Sequence, residues 1–375
     1  MEYDGAGLKI TFGEVCMNPL GKIKIAVVGT GWWATHAHIP SLRANHRAEV
    51  VLVDKNPQAL KAAATKYEIA NAYTSLSDAL TAHPDIQGAI VAVQHAAHHA
   101  VGMEVLEAGL HLLMEKPFTL YAREARELVQ TAERKGVEIL LGYTFPYLDP
   151  VQRARQYVDD GLIGEPEYIT CSMTSMTIEF LRGRPQNYAE TMRYPVHGPS
   201  KSTYSDPAVA GGGQGHLQIT HSAAMMFYLA PSLRAEVVTA FMNNLDTQVD
   251  VADAIAVRMN NGAVATVGST GNIGKGDGGI VEVHLHGSKG RVLVDAISGA
   301  LHLRCHDGRE ERLAPSYPAY PGHLPAERFV QLIRGEARNE FPGRDNGLYT
   351  VELLEAAYRS AAQGGMPVNV SSLYA

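Results

Sequence analysis

Residues 22–34 read KIKIAVVGTGWWA. The first part, KIKIAVVG, is a short apolar, β-branched run that ends in glycine, the pattern of a parallel strand buried on both faces. The six residues from that glycine, Gly29, Thr30, Gly31, Trp32, Trp33 and Ala34, spell G-x-G-x-x-A, a variant of the dinucleotide fingerprint set between a strand and a helix over 32–44. Gly29 serves the tight turn, Gly31 lets the backbone approach a pyrophosphate, and Ala34 is small enough for close helix–strand packing. The helix start offers free N–H groups and the positive end of its dipole to phosphate. One or both tryptophans are expected beside the cofactor. The bland alternative, a glycine turn with a surface aspartate nearby, is disfavoured because strand, helix and acidic residue all agree with the fingerprint.

Working outward, AEVVLVD (48–54) is a second strand. It ends in Asp54, 23 residues after Gly31, near the spacing of about 20 at which an acidic residue meets the adenosine ribose. That carboxylate repels a 2′-phosphate, so NAD is expected and NADP less so, with Lys55 softening the preference. QGAIVAV (87–93), HLLMEK (111–116) and VEILLGY (137–143) are further strands, with helical stretches at 98–108 and 120–135 between them. Alternating strands and helices give a doubly wound parallel α/β sheet. Ligands bind along the carboxyl ends of such strands. That edge gathers the 29–34 turn, Asp54, Val93-Gln94-His95 with His98 just beyond, and Glu115-Lys116-Pro117. Lys116 falls near the nicotinamide end. A lysine at a strand end is often only a solvated charge, but its position and the flanking proline favour a working role.

The pattern changes at 146–150. Residues 1–20 are expected to be a tail and a candidate oligomer contact, 21–146 the NAD-binding domain, and 147–375 a substrate-binding and oligomerisation domain. A helix (151–160) ends at Gly161, and strands then dominate. Asn261-Gly262 marks a hairpin, IVEVHLHG, RVLVDA and ALHLRCH continue the series, and two helices (325–334, 345–362) close the chain and are candidates to pack back on the first domain. The second half is expected to be α+β with a large, open, mostly antiparallel sheet.

The residues now resemble a known family, the glucose–fructose oxidoreductase / inositol dehydrogenase / rhizopine-catabolism (Gfo/Idh/MocA) group. The likeness runs from Lys22 over nearly the whole chain, through GTGWWATHAHIPSL, VLVDKNP, EVLEAGLHLLMEKPFTL, GGGQGHLQITH and GLYTVELLEAAYRSAAQGGMPV. The resemblance implies an NAD(P) domain followed by a domain whose open sheet covers the substrate and builds homodimers or homotetramers. It implies that Lys116 is the catalytic lysine and that His221 matches the family's active-site histidine. The chemistry suits them. A partly desolvated lysine is pushed down toward working pH, and a histidine titrating near neutrality can take or relay the proton. Two positions depart from the family pattern. Leu217 stands where many members carry Asp, with Gln218 beside it, and Val93-Gln94 replaces a frequent Thr-Pro. Both departures bear on the substrate rather than the cofactor.

Residues 182–221 are rich in Pro, Gly, Tyr, His and cations with little period, as functional loops often are. Tyr188, Arg193, His197, Lys201, Tyr204, Gln218 and His221, together with Tyr143 at a strand end and Lys116, are the candidate substrate contacts. Tyrosine rings can stack on sugar faces, and Arg193 and Lys201 can hold an anionic substituent, although cations on a loop are as often merely solvated. Gly211–Gly213 read as a turn rather than a phosphate loop. GNIGKGDGG (271–279) lacks the Ser/Thr of a Walker motif. His95, His98 and His99 have ligand-like spacing but no accompanying carboxylate or cysteine, so no metal is expected.

The formal net charge of −7 argues against nucleic-acid and anionic-membrane partners. Three scattered cysteines (Cys16, Cys171, Cys305) point to a reducing compartment. No run reaches the length of a membrane span, and Glu2 and Asp4 stand where a signal peptide needs positive charge. A cytoplasmic enzyme is expected. The first reading is an NAD-dependent dehydrogenase of a secondary ring hydroxyl (C3, by analogy with glycoside-processing relatives) on a sugar, glycoside or cyclitol. The second is an NAD-dependent glycoside hydrolase that oxidises, eliminates and re-reduces, because GGGQGHLQITHS resembles an element of one such group. The third, a non-catalytic nucleotide-binding regulator, ranks lowest because Lys116 and His221 are both present.

Overall fold

The computed structural model describes residues 21–337 and 343–375, so the expected 1–20 tail, with Cys16, lies outside the described residues. The first domain runs β1 (Ile23–Val28), a π-helical turn (Ala34–His38) continuing as α1 (Ile39–Ala44), β2 (Ala48–Val53), α2 (Pro57–Tyr67), β3 (Ala72–Tyr73), α3 (Leu76–Ala82), β4 (Ile86–Val91), α4 (His98–Glu107), β5 (His111–Met114), α5 (Ala122–Lys135) and β6 (Ile139–Leu141). Its six strands pair in parallel in the order β3-β2-β1-β4-β5-β6. The order reverses between β1 and β4, which opens a crevice at their carboxyl ends. The strand interiors are Val, Ile, Leu and Ala, buried almost throughout, as a sheet covered on both faces requires.

The helix expected over 32–44 is not one regular helix. Its middle widens into the π turn, where the Thr35 hydroxyl donates to the carbonyls of Gly31 and Trp32 and Pro40 has no N–H to continue the ladder.

The second domain runs α6 (Asp149–Asp159), β7 (Pro166–Thr174), three single turns α7 (Ile178–Leu181), α8 (Ala189–Met192) and α9 (Pro207–Ala210), then a second π turn (Gly215–Ile219) leading into α10 (Thr220–Leu229). Strands β8 (Ala235–Asn243), β9 (Ala252–Met259), β10 (Val264–Thr270), β11 (Ile280–Gly287), β12 (Gly290–Asp295), β13 (Leu301–Cys305) and β14 (Glu310–Leu313) follow, then α11 (Leu324–Ile333), α12 (Arg344–Ala362) and β15 (Val368–Asn369). Among the described residues the sheet has nine strands in the order β14-β13-β12-β11-β7-β10-β9-β8-β15. It is antiparallel except where β10 meets β7. Asn261-Gly262 does close the β9–β10 hairpin, with Gly262 at φ 87°. Along β9, Asp253, Ile255, Val257 and Met259 face the covered side and alternate with less buried residues, the period of a sheet with one face packed.

Residues of α6, α10 and α12 complete that core. From α11, Ala326, Phe329 and Val330 pack against Ile25, Ile90 and Leu113 of the first sheet, and Val351 of α12 joins the other side of that sheet. The late helices thus fasten the two domains together around the crevice. Among the described residues no helix is long and apolar enough to cross a membrane.

Candidate active site

The dinucleotide turn is preorganised by Asp54. Gly29 turns the chain at φ 93°. The Thr30 N–H and hydroxyl then both donate to Asp54 Oδ2, at 2.7 and 2.8 Å, while Asn56 N–H donates to Oδ1 at 2.8 Å. Gly31 is exposed, with open space where a side chain would stand. Ala34 is buried in the core beside β1, and Lys55 is exposed at the rim. An open glycine backbone at a helix start, beside a half-buried carboxylate with acceptor capacity left on Oδ1, fits a dinucleotide whose ribose presents hydroxyls.

The next two strand ends are tied together by His98. Its ring nitrogens lie 2.7 Å from Pro117 O and 3.2 Å from Val93 O, so one imidazole links the loops after β4 and β5. His95 is buried with Nδ1 3.0 Å from Ala210 O, linking that edge to the second domain, while Gln94 stays exposed. His99 instead pairs with Glu127 at the surface. The three histidines are therefore occupied separately.

Lys116 follows β5 and extends toward the second domain, where its ammonium donates to Leu217 O at 2.9 Å. Burial drives its pKa down to about 8, against the opposing pull of the Glu115 charge. Glu115 is itself buried, yet hydrogen bonding and charge from His38, with Lys116, outweigh that burial and hold its carboxyl below the ordinary range.

His221 lies on α10, buried, with Nδ1 unpartnered. Its ring meets Tyr143 and Phe145 edge-on at 6.0 and 5.6 Å. Burial, and then the Lys116 charge, push it well below its usual range. The expectation that His221 titrates near neutrality is corrected: it is a neutral imidazole at working pH. Tyr143 is corrected too. It is fully buried with its hydroxyl 3.0 Å from Thr220 Oγ1, a support beneath His221 and not a substrate contact.

The glycine segment before α10 is more than a turn. Asp250 reaches into it, accepting from Gly213 N and Gly215 N at 2.6 and 2.7 Å and from the Tyr358 hydroxyl at 2.8 Å. The protein's own carboxylate occupies the cradle that successive N–H groups would offer to an anion. Leu217 turns its side chain into an apolar cluster with Phe180, Tyr188 and Val251, leaving its carbonyl to Lys116.

The 182–221 loop separates into three parts. Tyr188 is buried in that apolar cluster, its hydroxyl accepting from Glu179 N at 3.2 Å, so its assignment as a substrate contact is corrected. Tyr204 is half-buried between Phe180 and His95, and Gln218 is half-buried beside the lysine's carbonyl partner. Arg193, His197 and Lys201 are exposed. Trp32 packs on Phe180 and Tyr194 at 5.6 and 5.5 Å and so seats this loop on the dinucleotide turn.

Several participants have roles the sequence does not assign, although Trp33 is expected beside the cofactor. Trp33 and His38 reach Glu115, and Tyr320 meets Trp33 at 6.1 Å and accepts from the Thr144 hydroxyl. Asp250, Tyr358 and His216 lie behind the α10 start. Trp33, His38, His216 and Tyr358 all sit within stretches whose likeness to known proteins could have drawn attention to them.

Comparison with known proteins finds two matching family models. The model for an oxidoreductase family with an NAD-binding Rossmann fold matches residues 23–143. The GFO/IDH/MocA C-terminal domain matches 151–293. The chain spans only 39 to 58 % of the length of the first curated relatives it matches. A D-apiose dehydrogenase of Paraburkholderia graminis is 24 % identical over 92 % of this chain and 88 % of that protein. A levoglucosan dehydrogenase of Pseudarthrobacter phenanthrenivorans is 22 % identical over 84 % of this chain and 81 % of that one. In fold, an inositol dehydrogenase homologue of Azotobacter vinelandii, solved with NAD+, superposes with a TM-score of 0.75 at 18 % identity, covering 93 % of this chain and 97 % of that chain.

Proposed function

Because this chain belongs to the Gfo/Idh/MocA oxidoreductase family, we propose that it is an NAD-dependent dehydrogenase of a secondary hydroxyl on a sugar or cyclitol ring, with Lys116 as the group that takes the proton. One observation carries this reading. A buried amine with a pKa near 8 stands at the crevice end of β5, across from the buried imidazole of His221. The names of relatives that act on apiose and levoglucosan support the substrate class.

When bound, NAD supplies the hydride acceptor. Residues 29–34 hold its pyrophosphate and Asp54 a ribose hydroxyl. The neutral Lys116 amine accepts the hydroxyl proton as hydride leaves the carbon. Leu217 O keeps one N–H of the amine in either protonation state and so fixes Nζ. His221, neutral, orients the same hydroxyl by hydrogen bonding and does not compete for the proton. In the reverse direction the ammonium form returns it. Oxidation therefore rises with pH and levels above about 8, while reduction falls through the same range. We also take the enzyme to be a cytoplasmic homo-oligomer, and Arg193 and Lys201 to be the cations that meet an anionic substituent where the substrate carries one.

The test is turnover of NAD by the purified chain on a panel of aldoses, cyclitols and glycosides. Stoichiometric NADH supports dehydrogenation. Release of an aglycone with no net NADH points instead to the redox hydrolase. Lys116→Met should lower kcat about 10²-fold or more while NAD still binds, and near-parental turnover would remove the lysine from the mechanism.

A further inference from the structure

Glu115 stands between the dinucleotide turn and the lysine. Its Oε1 accepts from Trp33 Nε1 at 2.8 Å and lies 2.7 Å from His38 Nε2, and its Oε2 accepts from Lys116 N at 3.1 Å. Both side-chain donors come from the segment that begins at the fingerprint glycines. Trp33 is in its first turn, and His38, fully buried, ends the π turn. The facing wall is cut away for the carboxylate: a Cβ on Gly142 would stand 2.5 Å from Glu115 Oε1. A buried carboxylate with three donors and a glycine opposite is a built place for negative charge.

We propose that Trp33 and His38 are positioning residues that hold the Glu115 charge beside Lys116, so that the segment binding the dinucleotide also sets the proton affinity of the catalytic amine. The inference rests on Lys116 being the proton-handling group. Its physical content is a balance of opposing effects. Burial favours the free amine and the Glu115 charge favours the ammonium. The N–H groups of Trp33 and His38 keep that charge ionised in a buried place and draw part of it away from the lysine.

The other groups facing this pair do not supply the balance. His95 and His221, facing Lys116, are held low by burial, as is His98 near Glu115. Tyr320 is raised to about 12, and Tyr143 and Tyr204 are raised as well, all by burial with the Glu115 charge adding to it.

Two substitutions should move the pH profile of kcat in opposite directions. Glu115→Gln removes the charge and lowers the oxidation midpoint by about one pH unit or more. Trp33→Phe removes one donor, leaves more of the charge facing the lysine, and raises the midpoint by roughly half a unit. A merely structural role for either residue would lower activity without shifting the midpoint. A second measurement leaves the Trp33–Glu115–Lys116 contacts intact. The chain has two tryptophans, so Trp32→Phe leaves Trp33 as the sole tryptophan emitter. Its fluorescence should titrate with the midpoint of kcat, and Glu115→Gln in that background should abolish the transition. Wild-type midpoints in both variants, or emission flat with pH, overturn the coupling even where Lys116→Met is inactive. Near-parental turnover in Lys116→Met overturns the underlying reading instead.

Discussion

Two buried acids, one on each side of the crevice, meet opposite fates. Glu115 and Asp253 are each 6 % exposed. Glu115 has three donors on its two oxygens and stays below the ordinary carboxylate range. Asp253, on β9, has no donor on either oxygen, and burial, then the charge of the nearby Asp250 and hydrogen bonding with it, drive it up to about 9. Asp250, three residues earlier, is held by two backbone N–H groups and a tyrosine hydroxyl. The histidines divide by their partners but not by their state, since burial lowers both His98 and His216. His98 ties two strand ends together, whereas His216, stacked on Tyr358 at 4.6 Å, has both ring nitrogens unpartnered. Burial alone therefore does not set the state of a carboxylate here; the supply of donors does. On the dinucleotide side the Glu115 carboxylate has its donors and can position charge for chemistry, although Trp32 Nε1 and His38 Nδ1 beside it are buried without partners. On the sheet side Asp253 carries a burial cost that no donor offsets.

The sharpest way to break the comparison is to remove the group the satisfied side serves. Lys116→Met should lower kcat about 10²–10⁴-fold, the usual contribution of a positioned base, read as NADH formation with substrate saturating. The same variant should gain stability below pH 8. Burial lowers the folded-state pKa of the lysine, so holding it charged costs free energy that is fully present below about 8 and vanishes as pH rises toward its ordinary value of 10.5. Loss of activity with gain in Tm is the signature of a strained functional group.

Asp253→Asn tests the other side. The folded-state pKa is raised, so Asp253 costs nothing below its ordinary 3.8 and progressively destabilises the protein as pH rises from there toward 9. Asparagine does not ionise. The variant should match the parent near pH 4 and exceed it by about 2–4 kcal/mol at pH 7, read from urea midpoints at the two pH values. Equal midpoints at both would mean that Asp253 is stabilised as an ion after all, and the contrast with Glu115 would collapse.

Gly142→Ala should degrade the satisfied side toward the condition of the other. A methyl group pressed to 2.5 Å of Glu115 Oε1 must displace the carboxylate, at a cost of about 1–3 kcal/mol, as for other overpacked cores. Guanidinium unfolding checks it, and an unchanged midpoint would show that the carboxylate can move freely and is not held.

What the sequence disclosed divides along the same line. Backbone requirements were legible. The β-branched run, the turn glycine and the acid ending β2 each answer to a period or a φ angle, and so the Rossmann half, Asp54 and the strand-end place of Lys116 could be read directly. Side-chain partnerships across the fold were not. Trp33 donates to a residue 82 positions away, and no local pattern encodes that reach. Tyr188 and Tyr143 have the chemistry of sugar contacts, but their rings fill apolar space that only tertiary packing creates. The burial of the α10 histidine, which decides its charge state, is likewise a tertiary property that periodicity does not report.

The smallest expected effect tests whether satisfaction also confers selectivity. Thr30 donates twice to Asp54 Oδ2 and so fills both of its lone pairs, and Asn56 N–H takes one on Oδ1. One acceptor position remains for a ribose hydroxyl, on a carboxylate held against rotation by these three bonds. Such a group repels a 2′-phosphate strongly. Thr30→Ala keeps the backbone bond and deletes the hydroxyl one, worth about 1 kcal/mol, and lets the carboxylate swing away. The ratio of kcat/KM for NAD over NADP should fall roughly five- to tenfold, mainly through better use of NADP. A ratio unchanged in the variant would place the selectivity in the bare charge of Asp54 rather than in its fixed orientation.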